Sequence, residues 1–312
     1  MPTVPVVRSG HAYELAGSEK DARWELLRAL GAAVLTPPPG NDRPCEALGL
    51  PRQSGVEHTQ VFVLSAPPHA AIHLGPEGQL GGEGLDRIGG FWRALGLRAP
   101  EDADHLGTLL MLYAELGSAE ETSSDSRGRS QMRRARAALF HEHLWSWAPG
   151  YLTAVGRLGV ESATAWAQLT EHVIAAERAD LGPAGLLPLA LRAAPGGLEA
   201  THSFDETLDV LVSPIRSGII LTHRDLSAAA AQIGVGVRRG ERRYALKSML
   251  LQDAAATLTW LADHARQWSS LHAGPMVDTD DTGLWWANRA RVTAAVLDGM
   301  AEEAQAIATA AT

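Results

Sequence analysis

The chain has 312 residues, 46% hydrophobic and 20% charged, enough apolar material for a sizeable core in one large domain with a smaller one beside it. Its formal net charge of −9 argues against broad affinity for nucleic acid or anionic membrane. A single cysteine, Cys45, excludes an intramolecular disulfide and any multi-cysteine zinc or iron–sulfur site.

Helical spacing of apolar residues runs through the chain in order. Trp24, Leu27, Leu30 and Val34 recur at three- and four-residue steps before the stop at Pro37-Pro38-Pro39. Val61-Phe62-Val63-Leu64 suits a short strand or a helix equally well. Leu85, Ile88, Phe91, Trp92 and Leu95 form a second stripe closed by Gly96. Leu106, Leu109, Leu110, Tyr113 and Leu116 form a third, which Gly117 is expected to end. Ala135, Leu139, Phe140, His143, Leu144 and Trp147 form a fourth, ended by Pro149, and a fifth spans about 162–180. Beyond a Pro/Gly-rich boundary, helices are expected near 208–211, over about 224–233, over one long stretch of about 241–268, and over about 284–308. The fold class is therefore all-α, a helical bundle with a helical C-terminal extension. The expected organisation is a flexible N-terminus over 1–19 and a core over 20–180 with a mobile loop at 118–130. A linker over 181–202 and the extension over 203–312 follow.

The first twenty residues lack the basic start and apolar run of a secretory signal. The most apolar stretch, Leu186 to Ala194, is broken by Pro188 and Arg192 and is too short for a bilayer. One free cysteine fits a reducing compartment, so a cytoplasmic location is expected, without a membrane span.

Constellations that carry chemistry are few. His69 and His73 would share a helical face, but Ala70 stands where a zinc protease has its glutamate. His141 and His143 point to different sides of a helix. The glycine-dense stretch Gly75 to Gly84 lacks the Lys-Ser/Thr ending of a phosphate loop. With no nucleophile elbow or Cys/His arrangement, the expectation is a protein that is not an enzyme and needs no cofactor or metal. Arg216, Arg224, Arg238, Arg239, Arg242, Arg243 and Lys247 make a basic stretch that reads as a solvated helical face. The alternative is a DNA-binding regulator using a helix-turn-helix-like segment over 216–247, although no nucleic-acid partner is expected.

Two segments carry a family resemblance. Pro100-Glu101-Asp102-Ala103-Asp104-His105-Leu106 looks like an acidic-Pro-x-Asp-His-Leu signature at the head of a helix. Phe140-His141-Glu142-His143-Leu144-Trp145-Ser146-Trp147-Ala148-Pro149 is similar to a Phe-x-x-His-Leu-x-x-Trp-x-Pro segment. Together, over roughly residues 20–180, they resemble the TorD/DmsD/NarJ family of redox-enzyme maturation chaperones, in an extended-length member. Ala103 between two aspartates, and histidines at 69 and 73 where aromatics are common, depart from the pattern.

The resemblance implies a chaperone that binds the apo-form of a molybdenum enzyme's catalytic subunit, or its twin-arginine signal peptide. It would hold that segment until the cofactor is inserted. A receptor for two guanidinium groups and an apolar run should set carboxylates beside an apolar groove. The candidate client-binding residues are Asp102, Asp104, His105, Leu106, Leu110, Tyr113, Phe140, His143, Leu144, Trp147 and Pro149. Asp104 and His105 are equally well read as the cap and tether of their helix. A monomer and a dimer are both compatible with such a bundle.

Overall fold

Small residues decide how closely the first long helices approach. In a computed structural model that describes residues 19–237, 240–274 and 281–310, α1 (Glu19–Leu35) crosses a later helix where Gly31 faces Gly107. A Cβ on Gly107 would lie 2.5 Å from the Gly31 carbonyl oxygen, and one on Gly31 2.7 Å from that of Gly107. Only glycine permits this backbone-to-backbone contact.

Two short helices, α2 (Asp42–Ala47) and α3 (Gly55–His58), follow α1, and α3 leads into a π-helical turn, Thr59–Ser65. Then come α4 (Ala70–Leu74), α5 (Gly82–Ala94) and α6 (Leu106–Thr122). Next, α7 (Ser126–Ala138) passes into a second π-helical turn, Leu139–Leu144, before α8 (Ala148–Gly156) and α9 (Glu161–Leu181). The C-terminal part begins with α10 (Leu189–Arg192) and a 3₁₀ turn at Leu198–Ala200. It continues with α11 (Phe204–Val212), α12 (Pro214–Ser217) and α13 (His223–Ile233), then α14 (Arg242–Gln252), α15 (Ala254–His272) and α16 (Asp281–Ala310). The described residues contain no strand; His69 and His105 form an isolated antiparallel bridge. The all-α expectation is met. No described helix is long and apolar enough to cross a membrane.

Buried side chains gather in two clusters. One contains Trp24, Leu30, Leu106, Leu110, Phe140 and Trp166; the other contains Leu211, Leu246, Met249, Leu261, Trp268 and Leu297. The clusters interlock, since Ile215 and Trp286 from the C-terminal part join the first and Ala154 of α8 joins the second.

Several boundaries differ from the sequence expectation. Gly117 does not stop a helix: it lies inside α6, where a Cβ would fall 2.3 Å from the Trp24 ring. The expected loop at 118–130 is largely helical, because α6 runs to Thr122 and α7 starts at Ser126. Asp125 caps α7 by accepting from Gly128 N–H at 2.7 Å, and Glu120 bridges to Arg136 at 2.9 Å. Pro149 does not end the fourth stripe but sits in the first turn of α8, where its missing N–H is harmless. Val61–Leu64 belongs to a π-helical turn, not a strand. The stretch expected as one helix over 241–268 is two, broken at Asp253, whose extended backbone (φ −150, ψ 95) ends α14 and whose carboxylate caps α15. The expected flexible N-terminus lies outside the described residues except for Glu19.

Candidate functional site

The head of α6 is built as a joint. His105 caps the helix through Nδ1, which accepts from Gly107 N–H at 3.0 Å. The Asp104 carboxylate takes His69 Nδ1 at 3.0 Å and Ala71 N–H at 2.9 Å, while Ala70 N–H donates to the Asp104 carbonyl at 3.0 Å. Burial opposes the charge on Asp104, but the His69 and Ala71 hydrogen bonds outweigh it and hold the carboxyl below its ordinary pKa. Burial drives His105 down to about 3, with positive charge on His69 acting in the same direction, so its ring is neutral. Asp102, with Pro100 and Glu101 before it, is exposed.

Below this joint the expected groove over α6 is closed. Leu106, Leu110 and Tyr113 are all 0% exposed. The Tyr113 hydroxyl donates to Glu177 at 2.6 Å and accepts from Arg136 at 2.8 Å. Glu177 is itself buried and also takes Arg23 at 2.5 Å. Glu115 pairs with Arg28 at 2.9 Å. These polar groups satisfy one another and present no open acid-rimmed surface. Phe140, His143 and Leu144 are likewise buried; His143 packs against Phe91 with centroids 5.1 Å apart, and burial lowers its pKa to about 4.

The second motif opens onto a cavity. In its π-helical turn Trp145 N–H donates to the Phe140 carbonyl, five residues back, at 2.7 Å. This wider turn, a device common at functional sites, carries the chain from the buried Phe140 side to Trp145 and Trp147. Both tryptophans, with Pro149, line a cavity of about 560 Å³ between the core and the C-terminal helices. Trp147 is fixed by its Nε1–H to the His143 carbonyl at 2.8 Å and by stacking on His73, centroids 5.0 Å apart. Opposite, Trp286 of α16 donates Nε1–H to the Ser146 carbonyl at 2.9 Å and stacks on His272 at 5.7 Å. Burial pushes His73 down to about 3, with Arg242 contributing, and His272 down to about 4. The cavity is thus walled by indoles and neutral imidazoles.

Of the eleven candidate residues, Trp147 and Pro149 reach this cavity; Asp102 is on the surface and the rest are packed inside the fold. Glu171, His272 and Trp286 line it without having stood out in the sequence. The two motifs are nevertheless one unit, because α4 links them: Ala71 N–H reaches Asp104, and His73, two residues on, stacks on Trp147.

Residues 50–152 match the family model described as nitrate reductase delta subunit. Over this segment the chain is similar to that family, which is of the NarJ/TorD chaperone type. No curated protein matches the chain. The family segment runs from just before α3 into α8 and supplies His73, Trp145, Trp147 and Pro149 to the cavity. The remaining walls lie outside it: Glu171 on α9, Ile220 before α13, His272 at the end of α15 and Trp286 on α16.

Four of the seven cations of the basic stretch are engaged by the chain itself. Arg243 bonds Asp209 at 2.5 Å and Asp205 at 3.1 Å, and Lys247 bonds Asp205 at 3.2 Å. Arg242 donates to the Leu221 and Gly78 carbonyls at 3.0 and 3.4 Å, tying α14 to the glycine-rich loop before α5. Arg216 bonds the Gly196 carbonyl at 3.2 Å. Arg238 and Arg239 lie outside the described residues. Phosphate binding needs unspent cations, so these pairings favour the reading as a structural face.

Proposed function

We propose that the protein is a cytoplasmic maturation chaperone, without catalytic activity of its own, for a molybdenum-cofactor oxidoreductase. It holds the N-terminal segment of the apo catalytic subunit, a twin-arginine signal peptide included, while the cofactor is inserted. The observation that carries this reading is the indole-walled cavity joined to a segment of the NarJ/TorD-type family.

A polypeptide segment with large apolar side chains gains by leaving water there. Burying ~400 Å² of apolar surface yields about 10 kcal/mol gross, and ordering the segment cancels several of these. The balance corresponds to about micromolar affinity, which allows both holding and release. The client site assigned by this reading is centred on Trp147 and Trp286, with the Asp104 joint as its support.

The test is isolation of the tagged full chain from its native cytosol, followed by calorimetric titration with the N-terminal segment of the partner recovered. The expected partner is a molybdenum-enzyme catalytic subunit whose segment binds at micromolar level. Failure of any such subunit to co-purify, together with absence of heat on titration, would sink the proposal.

A further inference from the structure

Among the described residues, and counting its histidines as neutral, Glu171 is the one lining the cavity that carries a formal charge. It lies on α9, on the helix face that also turns Ala167 and Gln168 into the cavity. No hydrogen bond or ion pair joins its carboxylate to another described residue. Burial raises its pKa above the ordinary carboxylate value, the neighbouring His172 opposing only in part. Other acids packed into this half of the molecule differ: Glu177, Glu115 and Glu120 each hold an arginine, and Asp104 holds His69.

An unpaired carboxylate beside indoles restricts what can fill the cavity. A wholly apolar segment would strip water from Glu171 and leave a buried charge without a partner, which is strongly unfavourable. An anionic segment would add repulsion. A cation on an apolar stem instead pairs with the carboxylate and lies against indole faces, whose quadrupole also attracts it. The chain shows the second half of that arrangement, for the Arg178 guanidinium sits 6.0 Å from the Trp145 ring centre.

We infer that Glu171 selects, in the polypeptide held by the cavity, an arginine or lysine side chain flanked by apolar residues. The inference rests on the chaperone reading of the cavity and adds the residue that sets its sequence preference. Glu171 lies outside the family segment, so this preference is a property of the longer chain.

Selection from a phage-displayed library of random 12-residue peptides tests it, with the full wild-type chain, Glu171→Gln and Glu171→Asp as baits. The wild type should enrich peptides with Arg or Lys between apolar residues, and Glu171→Gln should enrich apolar peptides without that cation. An enriched cationic peptide, titrated calorimetrically, should bind Glu171→Gln about 10- to 100-fold more weakly, with Glu171→Asp between. Wild-type affinity should also fall from pH 7 to pH 5 while that of Glu171→Gln stays level. The Gln variant gives up no bond within the fold, so its melting temperature should be unchanged or higher. Equal cation enrichment by wild type and Glu171→Gln, or none by wild type, overturns the role of Glu171 and leaves the chaperone reading standing. Enrichment of no peptide by any bait overturns both.

Discussion

Asp104 holds His69 at 3.0 Å across a separation of 35 residues, and through Ala71 the same carboxylate fixes the helix that carries His73 beneath Trp147. The acidic motif thus acts on the cavity from behind, as a support. Replacing Asp104 with Ala leaves a buried N–H without an acceptor and should lower stability by about 1–3 kcal/mol. That corresponds to a melting-temperature drop of roughly 2–8 °C. Asp104→Asn, which keeps an acceptor for Ala71, should lose less. Differential scanning fluorimetry of both variants checks this, and equal losses would remove the special place given to the Ala71 bond.

Buried histidines, together with the part-buried His272, make stability depend on pH. Burial lowers His73 and His105 to about 3 and His143 and His272 to about 4, against about 6.5 in an unfolded chain. The folded-state value is the lower one, so below pH 6.5 the unfolded chain binds protons that the folded chain refuses. Their contribution is therefore complete above about pH 6.5 and is lost as pH falls towards 4. Each neutral histidine accounts for at most about 1.4 kcal/mol per pH unit in that window. Asp104, held below its ordinary value, adds a further loss as pH falls below about 4. Melting temperature should be level above pH 7 and decline from 6.5 to 4, and His272→Gln should decline less steeply than wild type. Parallel curves for the two proteins would contradict the assignment of His272 as neutral.

The helices were legible in the sequence because their apolar residues recur at helical steps. Trp24, Leu27 and Leu30 are 2%, 0% and 0% exposed, as their spacing predicts. Breaks set by a single residue were not legible: Asp253 interrupts a continuous helical pattern, and no period reveals it. Glycine misled at position 117, where its lack of a side chain admits the Trp24 ring instead of ending a helix. The cavity was half legible. Trp147 and Pro149 stood in a motif, but Glu171 and Trp286 join them only through tertiary packing. Tyr113 looked like groove lining because its partner, Glu177, is 64 residues away.

Glu177 should be the most sensitive polar residue in the molecule. It is 3% exposed and accepts from Arg23, Tyr113 and Arg136. Glu177→Gln leaves Arg136, itself 4% exposed, with one carboxylate fewer and should cost about 3–5 kcal/mol. Adding Arg136→Met to Glu177→Gln removes the guanidinium that the single change leaves short of a carboxylate and keeps an amide beside the Tyr113 hydroxyl. Arg23 retains Asp180 and Glu120 keeps contact with water, so the double variant should cost less than the single change. Urea denaturation of the two variants checks the order, and a double variant weaker than the single one would refute it.

Gly156 offers a way to close the cavity without damaging the fold. It is the last residue of α8, it lines the cavity, and a Cβ built on it meets nothing within 4 Å. Gly156→Leu should therefore be neutral in stability or raise it by about 0.5–1 kcal/mol through lower backbone entropy in the unfolded chain. Its side chain takes up space that a client segment needs, so affinity for the client N-terminal segment should fall at least about 10-fold, equivalent to 1.4 kcal/mol. Melting temperature and calorimetric affinity measured on one preparation separate the two effects. A variant that is as stable as wild type and binds its client as tightly would show that the client lies elsewhere on the bundle.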